Sequence, residues 1–107
     1  MSILSVVLTR TAYYACQLIG SGKRVITQKF IQTGNVGHSE DIDLHRRLMG
    51  IGITEEDREG LTMPEIFSYP CSPHLAARID NRPIDFGKIE RATQELARRY
   101  DVVLVEG

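Results

Sequence analysis

Apolar and β-branched residues form one unbroken run at residues 102–105, directly before Glu106. A run without polar alternation predicts a strand that is covered on both faces, as in a parallel sheet. A second run rich in β-branched residues predicts a strand at residues 24–31, and residues 3–8 predict a further one. Residues 32–37 are rich in turn-forming side chains and predict a loop.

Apolar residues at helical spacing predict helices between these strands. Residues 11–19 predict one helix, and Ser39 predicts the N-cap of a second helix that ends at Gly50. The second helix is expected to bury an apolar stripe made of Ile42, Leu44, Leu48 and Met49. Residues 54–57 predict the start of a short third helix.

The clearest helical pattern lies just before the apolar strand. Asp85 predicts its N-cap, and apolar residues recur after it at a spacing that keeps them on one face. These residues are Phe86, Ile89, Ala92, Leu96, Ala97 and Tyr100. Residues 66–69 predict a short extended segment, and Ser72 with Pro73 predicts a capped helix over residues 74–79. A helix leading through a tight turn into an apolar strand indicates the α/β class with a parallel sheet.

Length and composition predict one domain, residues 1–107. The net charge of -1 argues against a nucleic-acid surface driven by bulk charge, so Arg46 and Arg47 are expected on a solvated helix face. No apolar stretch approaches the roughly 20 residues of a membrane span, and no signal peptide is evident. Cys16 and Cys71 fit no closely spaced ligand motif, which predicts free thiols in a reducing cytoplasm.

Gly20, Gly22 and Lys23 do not match a phosphate-binding loop. A Walker A loop has four residues between its glycines, and its Gly-Lys-Ser/Thr opens a helix. Here Lys23 leads into a predicted strand, so a turn at a helix C-terminus explains the glycines better. No other segment of the sequence matches the Walker A pattern.

Three charged residues carry the candidate chemistry. Lys29 is either an edge-strand lysine that points to water or a cation at the ligand-binding edge of the sheet, with Thr33 beyond it. Asp41 is either an acid that stabilises the first turn of its helix or a ligand of Mg²⁺. Glu106 is either a solvated acid at the end of a strand or a ligand of the same ion. Ligands of open α/β sheets gather beyond the carboxyl ends of the strands, where Glu106 stands.

A zinc site is an alternative. Asp41 and His45 stand at positions i and i+4, which places them on one face of the predicted helix, and His38 lies close by. No fourth ligand stands out in the sequence.

Five segments, in order, make the chain resemble dethiobiotin synthetase, a P-loop enzyme family of biotin synthesis. These segments are KFIQTG at 29–34, SEDID at 39–43, YPCSPHLAA at 69–77, RPI at 82–84 and VVLVEG at 102–107. The resemblance covers about residues 23–107. Residues 1–22 do not match, because the glycines and the lysine of the family's phosphate loop are absent there.

The resemblance implies a P-loop-NTPase-like parallel sheet flanked by helices, within a homodimer or other homo-oligomer. It implies ATP- and Mg²⁺-dependent carboxylation and ring closure of the diamine 7,8-diaminopelargonate, with CO₂ as the other substrate. By position, Lys29 would contact substrate and phosphate, and Thr33 would lie near the diamine. Asp41 and Glu106 would hold the Mg²⁺ that accompanies ATP. Neither nucleic acid nor a membrane is an expected partner.

The resemblance also implies an incomplete chain, without the Walker A loop and without the C-terminal half of the family. We therefore expect the 107-residue chain alone to bind ATP poorly and to be inactive. Two other interpretations are a non-catalytic α/β interaction module and a small metal-binding protein.

Overall fold

The computed structural model describes residues 8–106, with side chains from residue 11 onward. Parallel strands alternate with helices along the chain, which confirms the α/β class. The elements are α1 (Leu8–Gly20), β1 (Val25–Lys29), β2 (Ile31–Thr33), α2 (Glu40–Met49), α3 (Glu55–Glu59), β3 (Glu65–Phe67), α4 (Pro73–Ile79), α5 (Phe86–Arg99) and β4 (Val102–Glu106).

Two pairs of parallel strands organise these elements. β1 pairs with β4, in a register that sets Lys29 opposite Glu106. β2 pairs with β3, in a register that sets Thr33 opposite Phe67. The carboxyl ends of β1 and β4 therefore meet at one edge, where the sequence places two of its candidate residues.

The strand predicted at residues 24–31 is two strands in two sheets, so that prediction is wrong in its extent. The backbone N–H of Lys29 donates to the carbonyl of Thr62, and the N–H of Glu65 donates to the carbonyl of Phe30. The chain thus leaves β4 and takes a new partner at Phe30. Residues 32 and 33, predicted as loop, belong to β2. Of the strand predicted at 3–8, residues 3–7 lie outside the described residues, and Leu8 begins α1.

The core confirms a strand covered on both faces. Because side chains alternate along β4, Val103 and Val105 pack with Leu96 of α5, whereas Leu104 packs with Ala15 of α1. Burying each such valine or leucine contributes about 1.5–3 kcal/mol to folding. The short β1–β4 sheet is the middle layer of three.

Side-chain caps fix the starts of three predicted helices. Ser39 accepts the N–H of Ile42, and Asp85 accepts the N–H of Lys88. Thr54 starts α3 with a full capping box. Ser72 stands at the N-cap of α4 but makes no side-chain cap bond, so its predicted capping hydroxyl is not used.

Two of the predicted helix faces are wrong in detail. Leu48 of the expected α2 stripe is 47% exposed, whereas His45 and Arg46 of the same helix are buried. Phe86 of the expected α5 face is 65% exposed, Ala97 and Tyr100 are partly buried, and Ile89, Ala92 and Leu96 are buried as predicted. Beside Ile42, the buried side of α2 carries polar residues because it faces polar side chains of β1 and α3. None of the helices within residues 8–106 is long and apolar enough to cross a bilayer.

Candidate functional site

Four polar side chains meet at the carboxyl ends of β1 and β4, and we call them the Lys29 cluster: Lys29, Asp41, His45 and Glu106. Lys29 and Glu106 are register partners on neighbouring parallel strands. Asp41 and His45 lie one turn apart on α2, so both face the same strand ends. The fold thereby gathers Lys29, Asp41 and Glu106, three of the four site residues that the resemblance implies, together with His45 of the alternative zinc site.

Lys29 points into this cluster rather than into water. Its Nζ donates to Asp41 Oδ2 at 2.6 Å and lies 3.8 Å from Glu106 Oε2. Its side chain is 17% exposed. Of the two interpretations left open by the sequence, the cation at the ligand-binding edge fits this placement.

Glu106 is a buried carboxylate of the cluster, and one of its oxygens has no hydrogen-bond partner within residues 8–106. Its side chain is 7% exposed, and its Oε2 is buried without a hydrogen-bond partner. Burial raises the pKa of Glu106 to about 7, with the charge of Asp41 adding to the rise and Lys29 opposing it. A carboxylate in this position gains free energy from any further donor or cation that reaches it.

His45 is fully buried beside Glu106. Burial, together with the positive charge of Arg46, lowers the pKa of His45 to about 4, so the imidazole is neutral at pH 7. Its Nδ1 lies 2.8 Å from Thr27 Oγ1, and its Nε2 lies 3.6 Å from Glu106 Oε2. The ring therefore connects a hydroxyl of β1 with the carboxylate at the end of β4.

Arg46 also contacts Thr27. The sequence prediction that Arg46 lies on a solvated helix face is therefore wrong. Its Nε and Nη2 donate to the two oxygens of Asp57 at 2.8 and 2.7 Å, and Nη1 donates to Thr27 Oγ1 at 2.7 Å. Burial raises the pKa of Asp57, but the bonds from Arg46 outweigh that effect and leave the pKa lowered. Thr62 adds a hydrogen bond to Asp57 at 2.6 Å. Arg46 is only 1% exposed because this ion pair satisfies it inside the protein.

Thr33 lies outside the Lys29 cluster. It ends β2 in the second sheet, and no hydrogen bond within residues 8–106 joins its side chain to the cluster. Gly34 follows with φ of +78°, and a Cβ added there would lie 3.0 Å from Cβ of Pro70. The segment after Thr33 therefore requires glycine for both its backbone angle and its packing.

The donors fit Mg²⁺ better than zinc. Within residues 8–106 no group of three or more histidine, cysteine, aspartate or glutamate side chains is arranged to hold a metal ion. His38 instead contacts the carbonyl of Val36, which separates it from His45. Mg²⁺ needs only one or two carboxylates beside water and phosphate oxygens, and Asp41 and Glu106 with its unpartnered Oε2 supply that donor type.

Sequence reasoning missed the network behind the cluster. Thr27 and Lys29 stand two residues apart on β1 and therefore face the same side, towards α2. The i, i+4 spacing of Asp41 and His45 matches that side. The spacing of two along the strand and of four along the helix together indicate that Thr27 and His45 lie near Lys29.

Comparison with known proteins places the chain among P-loop-like nucleotide-binding domains. A family model described as an AAA domain matches residues 3–107. That match begins ahead of residue 23, where the motif resemblance starts.

Relatives of closely similar sequence are dethiobiotin synthetases. ATP-dependent dethiobiotin synthetase BioD 2 of Pasteurella multocida is 53% identical over 97 residues, which are 91% of this chain and 46% of that protein. The protein of the same name from Haemophilus influenzae is 50% identical over 91% of this chain and 51% of its own length. ATP-dependent dethiobiotin synthetase BioD of Chlorobaculum tepidum is 54% identical over 81% of this chain and 36% of its own length.

These matches confirm the resemblance drawn from the five segments. The chain spans about half the length of the curated relatives it matches.

Proposed function

The chain belongs to the AAA domain family whose model matches residues 3–107, and on that premise we propose that it is part of an ATP-dependent dethiobiotin synthetase of biotin biosynthesis. The observation that carries the proposal is the meeting of Lys29, Asp41 and Glu106 at the carboxyl ends of β1 and β4. The names of the relatives, each an ATP-dependent dethiobiotin synthetase, support the reaction.

Transfer of a phosphoryl group demands positioned charge more than covalent chemistry from the protein. In the proposal, Lys29 faces the anionic groups of substrate and phosphate, because its Nζ already lies at the strand ends between two carboxylates. Asp41 and Glu106 would hold Mg²⁺, which when bound neutralises phosphate oxygens. Thr33 would contact the diamine from the neighbouring sheet.

The proposed substrates are 7,8-diaminopelargonate, CO₂ and ATP. One amine takes CO₂ to give a carbamate, ATP phosphorylates the carbamate, and the second amine closes the ring and releases phosphate. Carbamate and phosphate are both anionic, which is why a partly buried lysine at this edge suits each stage. A cytoplasmic location, a homo-oligomeric state and the absence of nucleic-acid and membrane partners remain predictions.

A chimera tests this function, since the sequence contains no Walker A pattern of its own. Residues 23–107 replace the corresponding residues of the Pasteurella multocida relative, and the chimera is expressed in a strain that lacks dethiobiotin synthetase. We expect growth without added biotin, and dethiobiotin formation that depends on ATP and diamine. Lys29→Met, which removes a cation, and Asp41→Asn, which removes a proposed Mg²⁺ ligand, are each expected to lower turnover by about a hundredfold or more, because both stabilise the charge of the transferred group.

Matched variants separate chemistry from folding. Lys23→Met removes an exposed lysine that precedes β1, and Asp43→Asn removes a partly exposed acid one place beyond Ile42 in α2. Both are expected to leave turnover unchanged. A folded chimera without any activity would contradict the proposal and favour a non-catalytic α/β module. Equal losses in Asp41→Asn and Asp43→Asn would contradict the role given to Asp41.

A further inference from the structure

His45 Nε2 and Glu106 Oε2 are buried side-chain atoms that lack a hydrogen-bond partner, and they face each other at 3.6 Å. Leaving a buried polar atom unpaired is unfavourable, so two such atoms facing each other need an explanation. The separation exceeds the usual 2.7–3.2 Å of an N–H···O bond. Contacts of this kind in functional sites are commonly long without ligand and shorten when the site is occupied.

The hydroxyl of Thr27 decides which nitrogen of His45 carries the proton. Thr27 is fully buried, and its Oγ1 contacts Arg46 Nη1 at 2.7 Å and His45 Nδ1 at 2.8 Å. A guanidinium can only donate, so it cannot accept the hydroxyl proton. Of these two contacts only His45 Nδ1 can accept it, which would leave the proton of a neutral imidazole on Nε2. A proton on Nε2 would face Glu106 Oε2, which lies 3.6 Å away.

The position of the Thr27 hydroxyl is fixed in turn by Arg46 and Asp57. Arg46 donates to the backbone carbonyl of Thr27 as well as to its side chain, and both oxygens of Asp57 hold the guanidinium. Asp57 is anchored in turn by the hydroxyl of Thr62. Every donor and acceptor along this path is buried, so the orientation is set by the fold rather than by solvent.

We propose that His45 is a positioning residue for Glu106, with Thr27 fixing the tautomer that turns Nε2–H towards the carboxylate at the end of β4. The inference rests on the proposed function, in which Glu106 is a ligand of Mg²⁺. His45 Nε2 and Lys29 Nζ face Oε2 of Glu106 at 3.6 and 3.8 Å, so these two groups of different charge would restrict its rotation once the contacts shorten. A nitrogen that carries a proton has no free electron pair, so His45 is not itself a metal ligand.

The tautomer is tested on the 107-residue chain by long-range ¹H–¹⁵N NMR of its histidine rings. His45 is expected to show the Nε2–H tautomer, with His38→Asn and His74→Asn used to assign the other two rings. Glu106→Gln is expected to shift the Nε2 resonance of His45, and Asp43→Asn is expected not to. An Nδ1–H tautomer, or an Nε2 resonance that ignores Glu106→Gln, would overturn the proposal.

A pair of substitutions tests the effect on the metal, with Mn²⁺ as the probe and water-proton relaxation as the measurement. The amide nitrogen of glutamine reaches about as far as Nε2 of histidine, whereas that of asparagine reaches about as far as Nδ1. His45→Asn is therefore expected to weaken Mn²⁺ binding about tenfold, as loss of an outer-sphere partner does, and His45→Gln is expected to restore most of it. Equal weakening in both variants would mean a packing role and would overturn the proposal. If the unsubstituted chain binds no Mn²⁺, the metal part of the proposed function fails, and the NMR result alone decides on His45.

Discussion

His45 and Glu106 are neighbours whose pKa values move in opposite directions for the same first reason. Burial lowers the pKa of His45 from 6.5 to about 4 and raises that of Glu106 from 4.5 to about 7. Between pH 4.5 and 6.5 the folded protein therefore binds fewer protons at His45 and more at Glu106 than the unfolded chain does. The two contributions to the pH dependence of stability have opposite signs and largely cancel.

Removing either partner is expected to reveal the contribution of the other. In Glu106→Gln, stability should rise from pH 4.5 to 6.5 relative to the unsubstituted chain, because only the unfolded state protonates His45 there. In His45→Gln, stability should fall between pH 4.5 and 7, because the folded state keeps the proton on Glu106. Each slope can reach about 1.4 kcal/mol per pH unit. Urea unfolding at a series of pH values measures both.

The double variant His45→Gln with Glu106→Gln serves as the control for this pair. Its free energy of unfolding should show the same pH dependence as that of the unsubstituted chain over this range, since the double variant lacks both opposing contributions. Single variants whose slopes have the same sign would contradict the assignment of the two shifts to His45 and Glu106.

At the scale of single residues, the sequence predicts the charged members of the site but not the buried side chains that hold them in place. Lys29, Asp41 and Glu106 meet because parallel strand ends and a helix N-terminus share one edge, which is a general property of α/β sheets. The spacing of Asp41 and His45 correctly puts both on one face, but zinc as their ligand finds no support within residues 8–106. Arg46 looks like a solvated residue because its buried partner, Asp57, is distant in sequence and carries no visible signal.

At the scale of elements, one buried ion pair joins α2 to α3 and to β1. Arg46 of α2 bonds Asp57 of α3 through two nitrogens and reaches Thr27 of β1 with the third. Asp57 also accepts the N–H of Thr54 and thereby starts α3. The pair satisfies four further polar groups, the hydroxyl and carbonyl of Thr27, the N–H of Thr54 and the hydroxyl of Thr62, so breaking one half leaves several of them unpaired.

Arg46→Leu is expected to lower the free energy of unfolding by about 3–5 kcal/mol, because it leaves the carboxylate of Asp57 buried without its partner. The double variant Arg46→Leu with Asp57→Leu should lose clearly less than the sum of the two single variants, since no unpaired charge remains. Arg47→Leu, at the exposed neighbouring position, should change stability by less than about 0.5 kcal/mol. Urea unfolding of the four variants gives the coupling energy. Strict additivity would contradict a direct interaction.

Element boundaries are the part of the fold that local sequence predicts least well. Residues 24–31 are uniformly strand-forming, so nothing local marks the break at Phe30. The break comes from hydrogen bonds to Thr62 and Glu65, which are more than 30 residues away. By contrast, the starts of α2, α3 and α5 are predictable because each is fixed by a cap within three residues.

At the scale of the whole molecule, the central sheet has only two strands within residues 8–106. β1 and β4 pair with each other, and each leaves an edge without a strand partner in the described part of the chain. The unpaired N–H and C=O groups along such a strand edge are a template for pairing with another chain. The sheet geometry therefore gives a physical reason to expect self-association.

We expect the purified 107-residue chain to form a homo-oligomer whose mass, measured by light scattering, increases with concentration. Val102→Lys places a charge where β4 begins and should weaken the association, because a lysine on an edge strand opposes pairing with another strand. Phe86→Ser removes an exposed aromatic ring from α5 and should leave the association unchanged, provided that circular dichroism shows both variants folded. A single monomeric species at every concentration would contradict the prediction. If association were lost in Phe86→Ser but kept in Val102→Lys, the contact would lie on the face of α5. In Phe86→Ser the edge of β4 is unchanged, so that edge alone would not be sufficient for association.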